Sequence, residues 1–431
     1  MESVDDNSVK LAEYFDRLWP IMRSITGKGV RKTHDILSEI FPLERIEIPS
    51  GTKVFDWKIP QEWVVKEAYV IDPKGNKILD IAENNLHLLN YSIPFRGSLS
   101  RAELDKNLYS LPELPDSIPY EFSYYRPRWG FCLSQKQRDN LPEGMYEVVV
   151  DTDHIDGSMT LAEVVIPGEE SQEILFSTYN CHPSLANNEL SGPLVSAFLC
   201  RRIAAMPKRR FTYRFAFLVE TIGTIAYLHR YGEHFKKNLL AGYVITCTGT
   251  DSPFIYKRSR LDKSPANRAA ELTLLTKYSN NFRVDDFDPI GSDERQYCSP
   301  GFNLPVGSLM RSKYGEYSEY HTSKDNRDFI SFKGMTEAVD TYFDICRALE
   351  VNRIYESKVM YCEPHLGPRD LYPTSTIRQS DIGAVEPIMW FLNYADGQHD
   401  LFDIAEKSGV AVQELFETAE KCVDAGIVKR I

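Results

Sequence analysis

"EILFSTYNCHPSLANNELSGPLVSAFLCRRIAAM", residues 173–206, decides the fold. A short apolar run stops at Asn180, Cys181 and His182; a proline and an Asn-rich turn follow, and a long apolar helical pattern opens at Ser191. Strand, polar turn, helix is half of a unit whose repetition builds a parallel or mixed sheet with helices on both faces. The unit repeats downstream in the strand "FTYRFAFLVE" (211–220), the helix "TIGTIAYLHRYGEHF" (221–235) and the strand "LLAGYVITCTG" (239–249). Two strand-like runs precede it, "MYEVVVDTDH" (145–154) and "MTLAEVVIPG" (159–168). In such sheets ligands gather at the carboxyl ends of the strands. His182 and Glu220 each close an apolar strand and so fall at that end.

The chain begins with an amphipathic helical pattern over 7–24, marked by Leu11, Tyr14, Phe15, Leu18 and Ile21, with Pro20 placed to kink or end it. A second helical stretch (29–41) and a strand pattern (43–51) follow, the entry to an α/β domain. Residues 53–147 change character: short strand-like pieces separated by Pro, Gly and Asn turns read as a mostly β insertion. Its aromatic segment "IPYEFSYYRPRWGFCL" (118–133) is either a small core or a surface that closes over a site. The tail, 396–431, reads as helix, Gly turn, helix and closing strand, the pattern of a winged helix-turn-helix. A DNA-reading helix is basic, whereas this second helix carries Glu414, Glu417, Glu420 and Asp424 against Lys421 alone. Protein docking or packing is expected of it.

Composition narrows the function class. A net charge of -12 over 431 residues argues against a nucleic-acid partner, since phosphate neutralisation needs clustered Lys and Arg. No run of residues reaches the ~18 apolar positions of a membrane helix, and the acidic start has neither the basic nor the apolar part of a secretory signal. A cytoplasmic location is expected. The eight cysteines are scattered without a CxxC pair, so neither a disulfide framework nor a zinc knuckle is indicated.

Three further places complete the reading of "NCHPSLANNELSG": Glu220 in "FLVETIG", Asp293 and Glu294 in "PIGSDERQYCSPG", and His321 in "YGEYSEYHTSKDNRDFI". Each also has a plainer reading. Glu220 sits where a helix N-terminus favours an anion, "NNELSG" suits a helix cap, and His321 precedes a helix. In order and local context, however, the four together resemble the site of the co-catalytic, M28-like zinc aminopeptidases and of the related single-zinc glutaminyl cyclases. The chain is most similar to the aminopeptidase-like proteins associated with polysaccharide biosynthesis, which combine that fold with a nested β domain and a C-terminal winged helix. The resemblance covers nearly the whole chain. It implies an α/β, mixed-sheet zinc-exopeptidase (phosphorylase/hydrolase-like) domain over 1–52 and 148–355, an inserted β-rich domain over 53–147, and a winged helix over 356–431.

Residue by residue, the resemblance makes His182 and His321 metal ligands and puts Asn188 where the family carries a metal-bridging aspartate. Glu220 matches the general base and Asp293 the aspartate beside it. Such a site uses neutral imidazoles and carboxylates to hold zinc with one position open, and a nearby carboxylate to carry a proton. The departures are as informative. Ser184 replaces the aspartate that orients the first histidine, Thr221 replaces a second glutamate, and an aspartate is absent near Thr246. With Asn188 also neutral, the expectation is one zinc ion, held by two imidazoles with either the Asn188 amide or the Glu189 carboxylate. Arg295, Tyr297 and Arg311 are expected to bind substrate, the arginines by presenting a planar fork to an acid. The functional expectation is a hydrolase of a small peptide or amide. The alternative is a catalytically reduced aminopeptidase fold acting as a binding or scaffold protein linked to polysaccharide biosynthesis, as an oligomer or through its winged helix.

Overall fold

A computed structural model describes residues 4–371 and 382–431. The first three residues of the acidic start lie outside this range. The main sheet has eight strands, β1 (Glu44–Pro49), β2 (Ser158–Ile166), β3 (Glu173–Tyr179), β4 (Thr212–Leu218), β5 (Leu239–Val244), β6 (Phe254–Lys257), β7 (Phe282–Asp285) and β8 (Val306–Met310). They lie in the order β1-β2-β4-β3-β5-β8-β6-β7. The centre, β4-β3-β5-β8, is parallel, while β1, β2 and the β8-β6 pairing are antiparallel, so the sheet is mixed as the alternating pattern implied. β3 is buried along its whole length, which is why it reads as a continuous apolar run.

One face is covered by α1 (Val4–Leu18), α2 (Lys28–Leu37), α3 (Ser191–Ala204), α5 (Pro265–Tyr278) and α6 (Phe332–Val351); α4 (Ile222–Asn238) covers the other. α1 ends at Leu18, two residues before Pro20. Gly192 lets α3 approach the sheet. A Cβ there would sit 2.4 Å from the Ile245 carbonyl oxygen and 2.5 Å from Thr178 Oγ1, so the glycine of "ELSG" is a packing requirement.

The insertion is a four-stranded antiparallel sheet made of 77–78, 62–71, 145–155 and 95–100 in that order. Its long strand runs on to Ile155 rather than ending at 147, because "MYEVVVDTDH" pairs with the insertion and not with the main sheet. It shares a core with α4, including Trp63, Val148, Leu228 and Phe235. The tail forms a three-stranded sheet (354–357, 396–400, 428–430) with helices α7 (Ile382–Tyr394), α8 (Leu401–Ser408) and α9 (Val412–Asp424). Its first strand starts at Ile354, slightly before the expected boundary at 356. α9 packs on α6, and Arg268 of α5 bonds Asp400, Asp403 and Glu406 of the tail, so one apolar core runs through both parts. Among the described residues no helix is long and apolar enough to cross a membrane.

Candidate metal and catalytic site

The site forms at the carboxyl ends of β3, β4 and β5. β3 ends at Tyr179, and the chain then carries His182 into a fully buried position. Its ring is fixed from behind: Nδ1 lies 2.6 Å from Glu189 Oε2, while Arg23 Nε donates to the His182 carbonyl oxygen at 2.9 Å. Nε2 therefore faces the other way, 3.5 Å from Glu220 Oε2. The His321 ring stands 5.6 Å from that of His182, centroid to centroid. Two imidazoles on one tetrahedral ion, with nitrogen-to-ion bonds of about 2.1 Å, have ring centres roughly 5 Å apart. The spacing fits a shared ion.

A wide π-turn over Ala186–Leu190, just ahead of α3, brings Glu189 under His182. Asp325 holds that turn: its carboxylate accepts from the backbone N–H of Asn187 at 2.6 Å and of Asn188 at 2.9 Å, and its carbonyl accepts from Ala186. The loop that carries His321 is thereby tied to the turn that orients His182. The insertion supplies the roof. Tyr120 N–H donates to the His321 carbonyl oxygen at 2.7 Å, and the Tyr120 ring meets both imidazoles edge-on at 5.0 and 5.2 Å. Tyr320 stacks on His321 at 3.9 Å. The aromatic segment thus closes over the site.

Glu220 follows β4, and its backbone N–H donates to Cys181 Sγ at 3.5 Å. Asp293 is buried behind it, accepting from Thr221 N–H at 2.8 Å and Thr224 Oγ1 at 2.7 Å. Burial first, then the charges of Asp293 and Glu189, push the Glu220 carboxyl well above the usual range. Burial likewise raises Asp293 to about 6. Glu189 is pushed up by burial and pulled back by Arg23 and by backbone N–H groups. Burial lowers both His182 and His321 to about 3, which keeps the imidazoles neutral, the form that ligates metals. Backbone strain gathers here as well. Ser184, Thr221, Cys247 and His321 all adopt positive φ, between 46° and 62°.

The donor set decides between one ion and two. Among the described residues, the one group of three His, Cys, Asp or Glu ligand atoms within 4.8 Å of one another is Cys181, His182 and Glu189. Glu189 is engaged with His182 Nδ1, and burial pushes the Cys181 thiol well up, so this group orients the histidine. Where a second ion's carboxylates would stand, the chain has a neutral cluster. Tyr179 Oη lies 2.7 Å from Thr246 Oγ1, and the Asn188 amide donates to Tyr179 Oη at 3.4 Å. Asn188 Oδ1 is buried without a partner. The two imidazoles stand at a spacing suited to one ion, and the cluster of Tyr179, Asn188 and Thr246 holds no carboxylate for a second.

The structure brings His182, Glu220, Asp293 and His321 together, with Asn188 joined to Tyr179 beside His182. Arg295 also lies here, its Nη2 3.2 Å from Thr221 Oγ1. Two expectations are corrected. Tyr297 is fully buried with its hydroxyl on Ser177, out of a substrate's reach. Arg311 is buried too, with Nη1 on the Ser252 carbonyl, Nη2 on Glu337 and Nε enclosed without a partner, out of a substrate's reach. Of the two third-donor options, Glu189 has Oε2 on His182 and Oε1 buried without a partner, as Asn188 Oδ1 is. Arg23, Tyr120 and Asp325 are site residues that the sequence reading does not name, and Glu189, named there as an alternative ligand, orients His182. Asp325 had a signal, four residues after His321 in "YHTSKD"; Arg23 carries no motif of its own.

Comparison with known proteins follows the geometry. The main sheet is that of zinc aminopeptidases: the zinc aminopeptidase BSAP of Bacillus subtilis superposes with a TM-score of 0.58 at 12% identity, covering 80% of this chain and 94% of that one. Residues 12–352 match the family described as a domain of unknown function (DUF4910), and 353–430 match a winged helix-turn-helix family. The chain belongs to that DUF4910 family. A Clostridium acetobutylicum protein is 41% identical over 436 residues, spanning 100% of this chain and 98% of its own; it is described as a candidate polysaccharide biosynthesis protein with an aminopeptidase-like domain. A crystal structure of a candidate peptidase from the same species superposes with a TM-score of 0.92 at 41% identity, covering 99% of this chain and 98% of that one.

Proposed function

We propose that this protein hydrolyses an amide bond in a small peptide or N-acylated substrate, using one zinc ion held by His182 and His321. The observation that carries the reading is the clamped His182 ring, with Glu189 on Nδ1 and Glu220 3.5 Å from Nε2. With its proton on Nδ1 toward Glu189, His182 turns a lone pair toward Glu220 and His321. Asn188 Oδ1 and Glu189 Oε1, both buried without a protein partner, are the two atoms that could serve as third donor. When bound, zinc supplies Lewis acidity toward the scissile carbonyl. Glu220 takes the proton of the attacking water and returns it to the leaving nitrogen, a role that suits a carboxyl raised by burial. Asp293 anchors the backbone after Glu220 through Thr221 and Thr224. Tyr120 and Tyr320 keep bulk water from the imidazoles.

A scaffold role leaves this arrangement without a purpose. Carboxyls raised chiefly by burial cost stability, and such groups in a cleft are candidates for catalysis. The test is turnover of aminoacyl anilides, dipeptides and N-acyl amino sugars by zinc-loaded protein. Glu220→Gln is expected to cut turnover by about 10²–10⁴-fold with the metal content unchanged. A Glu220→Gln protein as active as the wild type would refute the role of the base.

A further inference from the structure

The search for unspent chemistry ends on Arg295. It opens the short helix 294–297 beside Asp293, and its guanidinium is partly buried. One of its donors is used, Nη2 to Thr221 Oγ1 at 3.2 Å, while Nε is buried without a partner. Among the described residues no carboxylate comes within ion-pair distance of it, in contrast to Arg214, Arg258 and Arg268, each bound to two or more acids. Its charge is nevertheless felt by Glu220 and by the Tyr125 phenol. Tyr125 is 66% exposed and packs edge-on against Trp57 and Phe122, an aromatic wall supplied by the insertion.

A guanidinium with no acid partner, and with Nη1 bonded to none of the described residues, is short of acceptors, and the group that fits its Nη1–Nη2 end is a carboxylate, which takes two parallel N–H bonds. We infer that Arg295 is an anion site for the substrate: the molecule cleaved here carries a carboxylate bound to Arg295, with its apolar body against Tyr125. This rests on the hydrolase reading and adds the substrate class to it, an N-acylated acid rather than a neutral peptide amide. The plainer role for Arg295 is a counter-charge to Glu220 and Asp293, which makes no demand on a ligand.

Calorimetric titration of the full chain with N-acetyl-L-tyrosine and with N-acetyl-L-tyrosinamide separates the two roles, because these probes differ only in the carboxylate. The expected result is at least ~10-fold tighter binding of the acid, about 1.4 kcal/mol. Arg295→Gln abolishes that preference, and Arg295→Lys restores part of it, since an ammonium lacks the fork. Equal affinities, no binding of the acid, or an acid preference that survives Arg295→Gln would overturn the inference. Glu220-dependent cleavage of neutral amides without acid preference would leave the hydrolase standing and the anion site refuted. Arg295-dependent binding of the acid with no cleavage of any amide would do the reverse.

Discussion

At the residue scale, the departures from the aminopeptidase pattern become a consistent substitution. Ser184 cannot orient His182, and Glu189, carried beneath it by the π-turn, does so instead at 2.6 Å. Asn188 and Thr246 are neutral where a second ion would need carboxylates, and Tyr179 joins them by hydrogen bonds. Partners of metal-bound histidines typically affect metal affinity by about 10–100-fold. Glu189→Gln is therefore expected to weaken zinc binding by a factor in that range, read by competition with a chromogenic chelator, while the protein stays folded. Unchanged affinity would mean that Glu189 has no part in presenting His182.

At the scale of elements, the sequence disclosed what depends on local pattern and concealed what depends on long-range contact. Strand ends and turn chemistry made His182 and Glu220 legible, and the order of motifs added Asp293 and His321. The orientation of Glu189 was not legible, because a five-residue π-turn has no distinct sequence pattern. Nor was the burial of Tyr297 and Arg311, since a polar residue after a turn looks alike whether it faces a cleft or the core. Asp325 joins two segments far apart in the chain through two backbone N–H groups. Leaving two buried donors unmet costs roughly 2 kcal/mol or more. Asp325→Ala should lower stability by that amount in chemical unfolding, with Asp325→Asn intermediate; a neutral result for Ala would show that the tie is not structural.

At the scale of the whole molecule, two parts enclose the site, the main sheet as floor and the insertion as roof, while the tail docks through Arg268 and α9 onto α5 and α6. The acidic α9 spends its apolar side on this packing, with Leu415, Ala419 and Cys422 buried. The first helices are tied in as well. His34 of α2 is fully buried beside Asn180, and burial lowers it from 6.5 to about 3. The unfolded chain binds that proton below about pH 6.5 and the folded one does not, so stability from this group is complete above pH 6.5 and is lost as pH falls toward 3. His34→Gln should flatten the acid limb of an unfolding-versus-pH curve by close to one proton. An unchanged slope would place the acid sensitivity elsewhere.

The most direct test of the central claim is the metal content of the purified full chain after dialysis against zinc, measured beside His182→Ala and His321→Ala. One zinc per chain in the wild type, lost in both variants, is the predicted result. Two ions per chain, or one that survives loss of either histidine, would contradict a single site built on this pair.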